Sequence, residues 1–186
     1  MPLGAMDSAI MPDQLGSRTV GAVNRPSIDE PTPPLGPDAC VLRHVARASR
    51  AVVSAYDPAL APHGLTGHQF NLMMTLGQLG PVTVGLLAET LGMDASGVPR
   101  AVRPLADEGL ISVERGADRR QRLLSLTVSG RARLDRATPA WASVQAELVD
   151  AMGAARWTSL MTELRVVRKV AAGCSTRKPS VTASAE

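Results

Sequence analysis

The chain is poor in aromatic residues, in cysteine and in lysine, and it has no long apolar run. Its 186 residues include one Phe, one Tyr and two Trp, so a core must be assembled from Leu, Val, Ala and Met. The two cysteines, Cys40 and Cys174, stand far apart, which excludes a CxxC motif and a disulfide framework. No segment approaches the roughly 18 apolar residues of a membrane span, and the N-terminal stretch lacks the continuous apolar centre of a secretory signal. A cytoplasmic protein without a membrane partner is expected. Enzyme signatures are missing too: there is no G-x-S-x-G elbow, no G-x-x-x-x-G-K and no G-x-G-x-x-G. His63 and His68 are wrongly spaced on a helix to share an ion, and no Cys/His/Asp cluster supports them. The expectation is a non-enzyme with neither metal nor other cofactor.

What the chain does contain is arginine and helical periodicity. The formal net charge is +3, and every basic residue except Lys169 and Lys178 is arginine, whose planar fork grips phosphate at two points. Residues 1–37 carry seven prolines and no apolar period, the composition of a flexible arm. From Asp38, read as an N-cap, Val41, Val45, Ala48, Val52 and Tyr56 share one helix face, and Pro58 and Pro62 end that helix. Thr66 and Gln69 have capping-box spacing for a second helix through Phe70, Met73 and Leu76, stopped at Gly80-Pro81. A short helix from Thr83 to Gly92 follows, and then one from Asp94 to Glu108 with Gly109 as its stop. The period drops to two at Ile111/Val113 and Leu124/Leu126, on either side of a polar turn, which predicts a β-hairpin. Long helices follow from Thr127 and after Gly153; the first carries Leu134, Trp141 and Leu148 seven residues apart. The predicted fold is mainly α with a small β-hairpin wing, a winged helix-turn-helix core flanked by longer helices.

The segment Asp94–Glu108 divides into two faces at about 100° per residue. Val98, Val102 and Leu105 point to a core, while Ser96, Arg100, Arg103 and Asp107 point away from it. A cationic helix following a short helix and a tight turn suits the major groove, where Arg pairs with guanine or phosphate. A plain solvated face gives the same pattern. The hairpin adds weight to the nucleic-acid reading. Between Arg115 and Arg136 stand seven arginines against two acids, with Arg119, Arg120 and Arg122 crowded at the turn. Such like charges repel unless an anionic partner relieves them, and a narrow minor groove is such a partner. Asp118, two residues before Arg120, can hold that arginine in place. The bland alternative is a charged loop that serves solubility.

Leu65-Thr66 with Gln69-Phe70, Leu87-Ala88 with Leu91-Gly92, Leu105 with Gly109-Leu110-Ile111, and Asp118-Arg119-Arg120 followed by Leu124-Ser-Leu126-Thr127 and Gly130 resemble the MarR family of bacterial regulators. The resemblance runs from about Cys40 to Ala172. It implies a homodimer on a pseudo-palindromic double-stranded DNA operator, usually a repressor released by a ligand or an oxidant. It also implies that Asp118 and Arg120 touch the minor groove and backbone. The chain departs from the pattern at Gly97, Pro99 and Pro104 in the recognition helix. The expected DNA-binding set is Ser96, Gly97, Pro99, Arg100, Arg103, Asp118, Arg119, Arg120 and Arg122.

The seven-residue stripe on the helix after Thr127 reads as a buried seam, and the resemblance implies that this helix, the last one and the first form a homodimer interface. The division is then a flexible arm at 1–37, an N-terminal dimerisation helix at 38–62, a DNA-binding lobe at 63–136, C-terminal dimerisation helices at 137–172 and a tail at 173–186. The resemblance also places an effector pocket between the first helix and the lobe. His44, Arg47, His68 and Trp141 are the candidates there for a small aromatic carboxylate or phenolic ligand, Arg pairing with the carboxylate and Trp stacking on the ring. The alternative keeps His44 at a boundary, Arg47 in solvent and Trp141 in the core. Cys40, in the first turn of its helix with His44 one turn along, suggests a thiol-based redox-sensing repressor; the competing reading is a buried structural thiol. A different class is a winged-helix protein-interaction module that never binds DNA, for which three arginines at the hairpin tip have no purpose.

Overall fold

The computed structural model describes residues 36–116 and 121–175. The chain divides into two units, residues 1–41 and 42–186. In the first, the described residues include a 3-10 turn, Pro37–Ala39, and Val41, which opens helix α1 (Val41–Leu60). Asp38, read from the sequence as an N-cap, lies within the 3-10 turn ahead of the helix. The helix also runs past Pro58 to Leu60. A proline in the last turn removes a single backbone donor, and the helix closes only where Ala61–His63 tightens to 3-10 geometry and Gly64 takes φ +69°.

Helix α2 (Gly67–Leu79) begins at the capping box the sequence spells out. The Gln69 amide donates to Thr66 Oγ1 at 3.3 Å, and the Thr66 amide donates to Gln69 Oε1 at 2.9 Å. The Gly67 amide donates to Asp57 Oδ1 at 2.7 Å, tying the start of α2 to the end of α1. Strand β1 (Val82–Thr83) follows. It is too short to show an alternation, so sequence reading misses it. Helix α3 (Val84–Leu91) is capped by Thr83, whose Oγ1 accepts from the Leu86 amide.

Helix α4 (Val98–Asp107) starts four residues later than Asp94, with residues 95–97 in a turn. The start falls where Pro99 can be tolerated, since proline fits the first helical turn, whose N–H groups are unpaired. Strands β2 (Ile111–Arg115) and β3 (Arg122–Leu126) form the hairpin, and β1 adds to the other edge of β3 in the order β1-β3-β2. Helix α5 (Val128–Met152) starts from Thr127, whose Oγ1 accepts from the Gly130 amide at 3.0 Å. It runs unbroken past residue 136, where the lobe was expected to end. Helix α6 (Ala154–Ser175) continues beyond Gly173, so Cys174 is helical rather than part of a frayed tail.

Within the second unit, Phe70, Met73, Leu76, Leu87, Val98 and Leu105 are almost wholly buried. Side chains of this size contribute about 1.5–3 kcal/mol each when removed from water, and they fasten α2, α3 and α4 to the sheet. Val98, Val102 and Leu105 face this core as their spacing predicts. Leu134 and Ala137 of α5 join it, and Trp141 packs at its edge. Two members of the seven-residue stripe are thus used in this chain's own lobe, whereas Leu42 and Val52 on α1 and Leu160, Leu164 and Val167 on α6 remain exposed. Among the described residues, no helix is long and apolar enough to cross a membrane.

Candidate nucleic-acid interface and effector pocket

Helix α4 is held by its inner face, which leaves its outer face to solvent. Ser96, Pro99, Arg100 and Arg103 are exposed, and Gly97 is half-buried at the helix start. Ser96 and Gly97 belong to the turn before the helix, so they frame its N-terminus rather than lying on it. Pro104 sits inside the helix and removes one interior donor. Arg103 Nε lies 3.7 Å from Asp107, one turn further on, and both side chains are largely solvated.

The hairpin stands beside this helix. Pro99 and Arg103 of α4 and Arg122 of β3 line one groove of about 450 Å³, floored by Val84, Val102 and Leu124. Asp118, Arg119 and Arg120 lie outside the described residues. The register supplies one cation that the sequence reading left out. Arg115 faces Arg122 directly across the two strands, and both are exposed. Like charges directly opposite on a ladder destabilise it, and a bound anion reverses that penalty. Residues flanking a hairpin loop necessarily oppose each other, so Arg115 could have been found once the strand ends were known.

A second feature lies between α1, α2 and α5. A cavity of about 290 Å³ is lined by Tyr56, Leu60, Phe70, Met74 and Trp141, with Ser49, His68 and Asn71 as polar groups. The Trp141 and Phe70 rings stack with centroids 5.9 Å apart. The Tyr56 hydroxyl donates to Gln145 Oε1 of α5, and burial pushes its phenol above the ordinary value. Of the expected ligand residues, His68 and Trp141 reach this cavity and His44 and Arg47 do not. Helical geometry accounts for the split. The cavity takes Ser49, Val52, Val53 and Tyr56, whereas Arg47 and His44 are exposed in earlier turns of α1. Cys40 is exposed, against the expectation of a buried thiol, and so is Cys174.

A helix-turn-helix completed by a β-hairpin and built on a three-stranded sheet defines the winged-helix class. The model of the MarR family matches residues 63–121. The structure of the M. tuberculosis transcriptional regulator MosR in complex with DNA is similar at 32% identity and a TM-score of 0.67, covering 73% of this chain and 98% of that one. The transcriptional repressor CouR, bound to a 23-mer DNA duplex, is similar at 26% identity and a TM-score of 0.63, covering 70% of this chain and 93% of that one. The HTH-type transcriptional regulator YwoH of Bacillus subtilis (strain 168) is 25% identical over 87 residues, which is 47% of this chain; the chain spans 64% of YwoH's length. The chain belongs to the MarR family of winged-helix transcriptional regulators.

Proposed function

We propose that the protein is a homodimeric, sequence-specific DNA-binding regulator, a repressor that leaves a pseudo-palindromic operator when a small aromatic ligand fills the cavity between α1, α2 and α5. The observation that carries the reading is the solvated cationic surface made by Arg100 and Arg103 of α4 with Arg115 and Arg122 of the hairpin. Helix α4 enters the major groove, Arg100 and Arg103 reach base edges or phosphate, and the hairpin arginines follow the backbone. Both MosR and CouR carry DNA in the structures similar to this one, and CouR is a repressor. Self-association is supported by the exposed apolar residues of α1 and α6, since apolar side chains left in water on one surface mark a site of association.

The test is enrichment of random-sequence duplexes on the full chain, followed by gel shifts across a salt series. An inverted-repeat consensus and a steep fall in affinity with salt are expected, because phosphate contacts release counterions. Arg100→Ala with Arg103→Ala should weaken binding more than tenfold while circular dichroism stays unchanged. No enriched sequence, or binding indifferent to salt, leaves the protein-interaction module as the better description.

A further inference from the structure

The side chains that helix α4 offers to a DNA groove are few in kind. Its polar members are Arg100, Arg103 and Asp107, and it contains neither Asn nor Gln, the residues that read adenine by paired hydrogen bonds. Ser96, in the turn ahead of the helix, supplies a hydroxyl that pairs with any base and so names none. What flanks the arginines is apolar. Pro99 and Pro104 bracket Arg100 and Arg103, and all four are exposed. A proline has no N–H, so Pro99 donates to neither a phosphate nor a base edge, and its ring presents only apolar surface.

We infer that Pro99 sets operator specificity: its ring meets the 5-methyl group of a thymine beside a guanine that Arg100 takes through O6 and N7. This rests on the reading of α4 as the helix that enters the major groove. Residues at the N-terminal end of a recognition helix meet the base edges, and Pro99 and Arg100 are the second and third residues of α4. Successive residues are turned about 100° apart, so the two side chains diverge and reach neighbouring base pairs rather than one. The side on which Pro99 lies is apolar beyond its own ring. Val84 and Val113 line the same groove, and Val113 is 46% exposed. A thymine methyl seated there leaves water for an apolar surface, a contact that uracil or cytosine does not supply. Arg103 already faces Asp107, whereas Arg100 has no ion-pair partner among the described residues, which makes it the arginine for the guanine. Proline also suits the first turn of a helix through its fixed φ, but that role uses the backbone and is indifferent to the base opposite.

The experiment takes the consensus duplex enriched on the full-length protein and replaces each thymine in turn by deoxyuridine, which removes only the methyl group. At the thymine beside the guanine this should weaken binding about fourfold, the worth of one buried apolar carbon. Placing 7-deazaguanine at its neighbour should weaken binding by about tenfold or more. In Pro99→Ser the thymine and uracil duplexes should bind alike, and in Pro104→Ala the difference between them should persist. In Arg100→Gln the effect of 7-deazaguanine should vanish. A merely structural role for Pro99 would lower both affinities together and keep their ratio, which overturns the inference. A consensus in which no thymine responds to loss of its methyl, or whose guanine tolerates the 7-deaza change, overturns it as well. The DNA-binding reading stands or falls separately. Salt-sensitive, sequence-specific binding without methyl discrimination leaves that reading intact and removes this one, whereas no enriched sequence sinks both.

Discussion

The indole of Trp141 on α5 stacks on the phenyl ring of Phe70 on α2, with planes 23° from parallel. The pair closes one wall of the cavity between α1, α2 and α5 and joins the long helix to the lobe that carries α4. Phe70 is almost completely buried, whereas Trp141 keeps an edge toward the cavity. Trp141→Ala should therefore cost about 2 kcal/mol, less than the roughly 3–5 kcal/mol of a fully buried ring. Trp141→Phe, which keeps a ring on Phe70, should recover most of that loss. Urea unfolding at fixed protein concentration measures both. Equal destabilisation by the two variants would show that indole volume, and not the stacking, holds the joint.

A second joint lies at the start of α5. The Thr127 hydroxyl donates to the Gly109 carbonyl at 2.7 Å and the Thr127 amide to the Leu110 carbonyl at 3.1 Å. Gly130 packs so closely that a Cβ there would sit 2.0 Å from the Leu110 oxygen. The obstacle is backbone, so no rotamer change relieves it. Gly130→Ala should destabilise the fold by roughly 1–3 kcal/mol, the usual range for overpacking. Because Leu110 joins α4 to β2, it should also weaken DNA binding beyond what lost folding explains. Wild-type melting and wild-type affinity in the variant would mean that α5 shifts freely against the hairpin.

The places where sequence reading succeeded and failed follow from what makes each signal local. The capping box at Thr66 and Gln69, the glycine stops and the inward face of α4 depend on neighbours within a turn, and all were legible. Strand β1 exists only because β3 offers it hydrogen bonds, and nothing within its two residues announces it. The sequence pattern puts the start of α4 at Asp94, four residues before Val98, where residues 95–97 form a turn instead. Of the four expected ligand residues, His44 and Arg47 do not line the cavity between α1, α2 and α5, for a related reason. Periodicity placed Arg47 beside the apolar face, but which turn of α1 meets α2 depends on tertiary packing, here fixed by contacts such as Asp57 with the Gly67 amide.

The Arg103–Asp107 pair separates stability from recognition on the proposed DNA face. Both side chains are largely in water, and a solvated pair one helical turn apart contributes about 0.3–0.5 kcal/mol. Asp107→Asn should leave urea unfolding within about 0.5 kcal/mol of wild type. It also removes a negative charge from the surface facing phosphate and releases Arg103, so DNA affinity should rise severalfold at low salt and converge with wild type at high salt. Weaker binding in this variant would mean that Asp107 instead holds Arg103 in its reading position.

Tyr56 predicts an alkaline limit. Burial raises its phenol above the ordinary 10.0, so the folded state keeps the proton at a pH where the unfolded chain has lost it. The unfolded state then binds fewer protons, and stability must fall with rising pH. The contribution is complete below about pH 10 and is lost as pH climbs through the folded-state value. Tyr56→Phe should lack this component, although it also loses the hydrogen bond to Gln145. The chain has one tyrosine, so tyrosinate absorbance reports this group alone. Its titration midpoint should drop when urea unfolds the protein, and an unchanged midpoint would remove the basis for the prediction.

Leu160 and Leu164 stand one turn apart on α6 and are 37% and 42% exposed. Neither belongs to the lobe's core, so Leu160→Glu with Leu164→Glu should leave that core folded while placing two charges in the proposed dimer interface. Sedimentation should show a monomer with near-native helix content. A monomer reads one half-site and loses the effective concentration its partner confers, so affinity for an inverted repeat should fall by about 10²–10⁴-fold. A dimer that survives both substitutions would move the interface off α6, leaving the exposed apolar residues of α1 as the remaining surface.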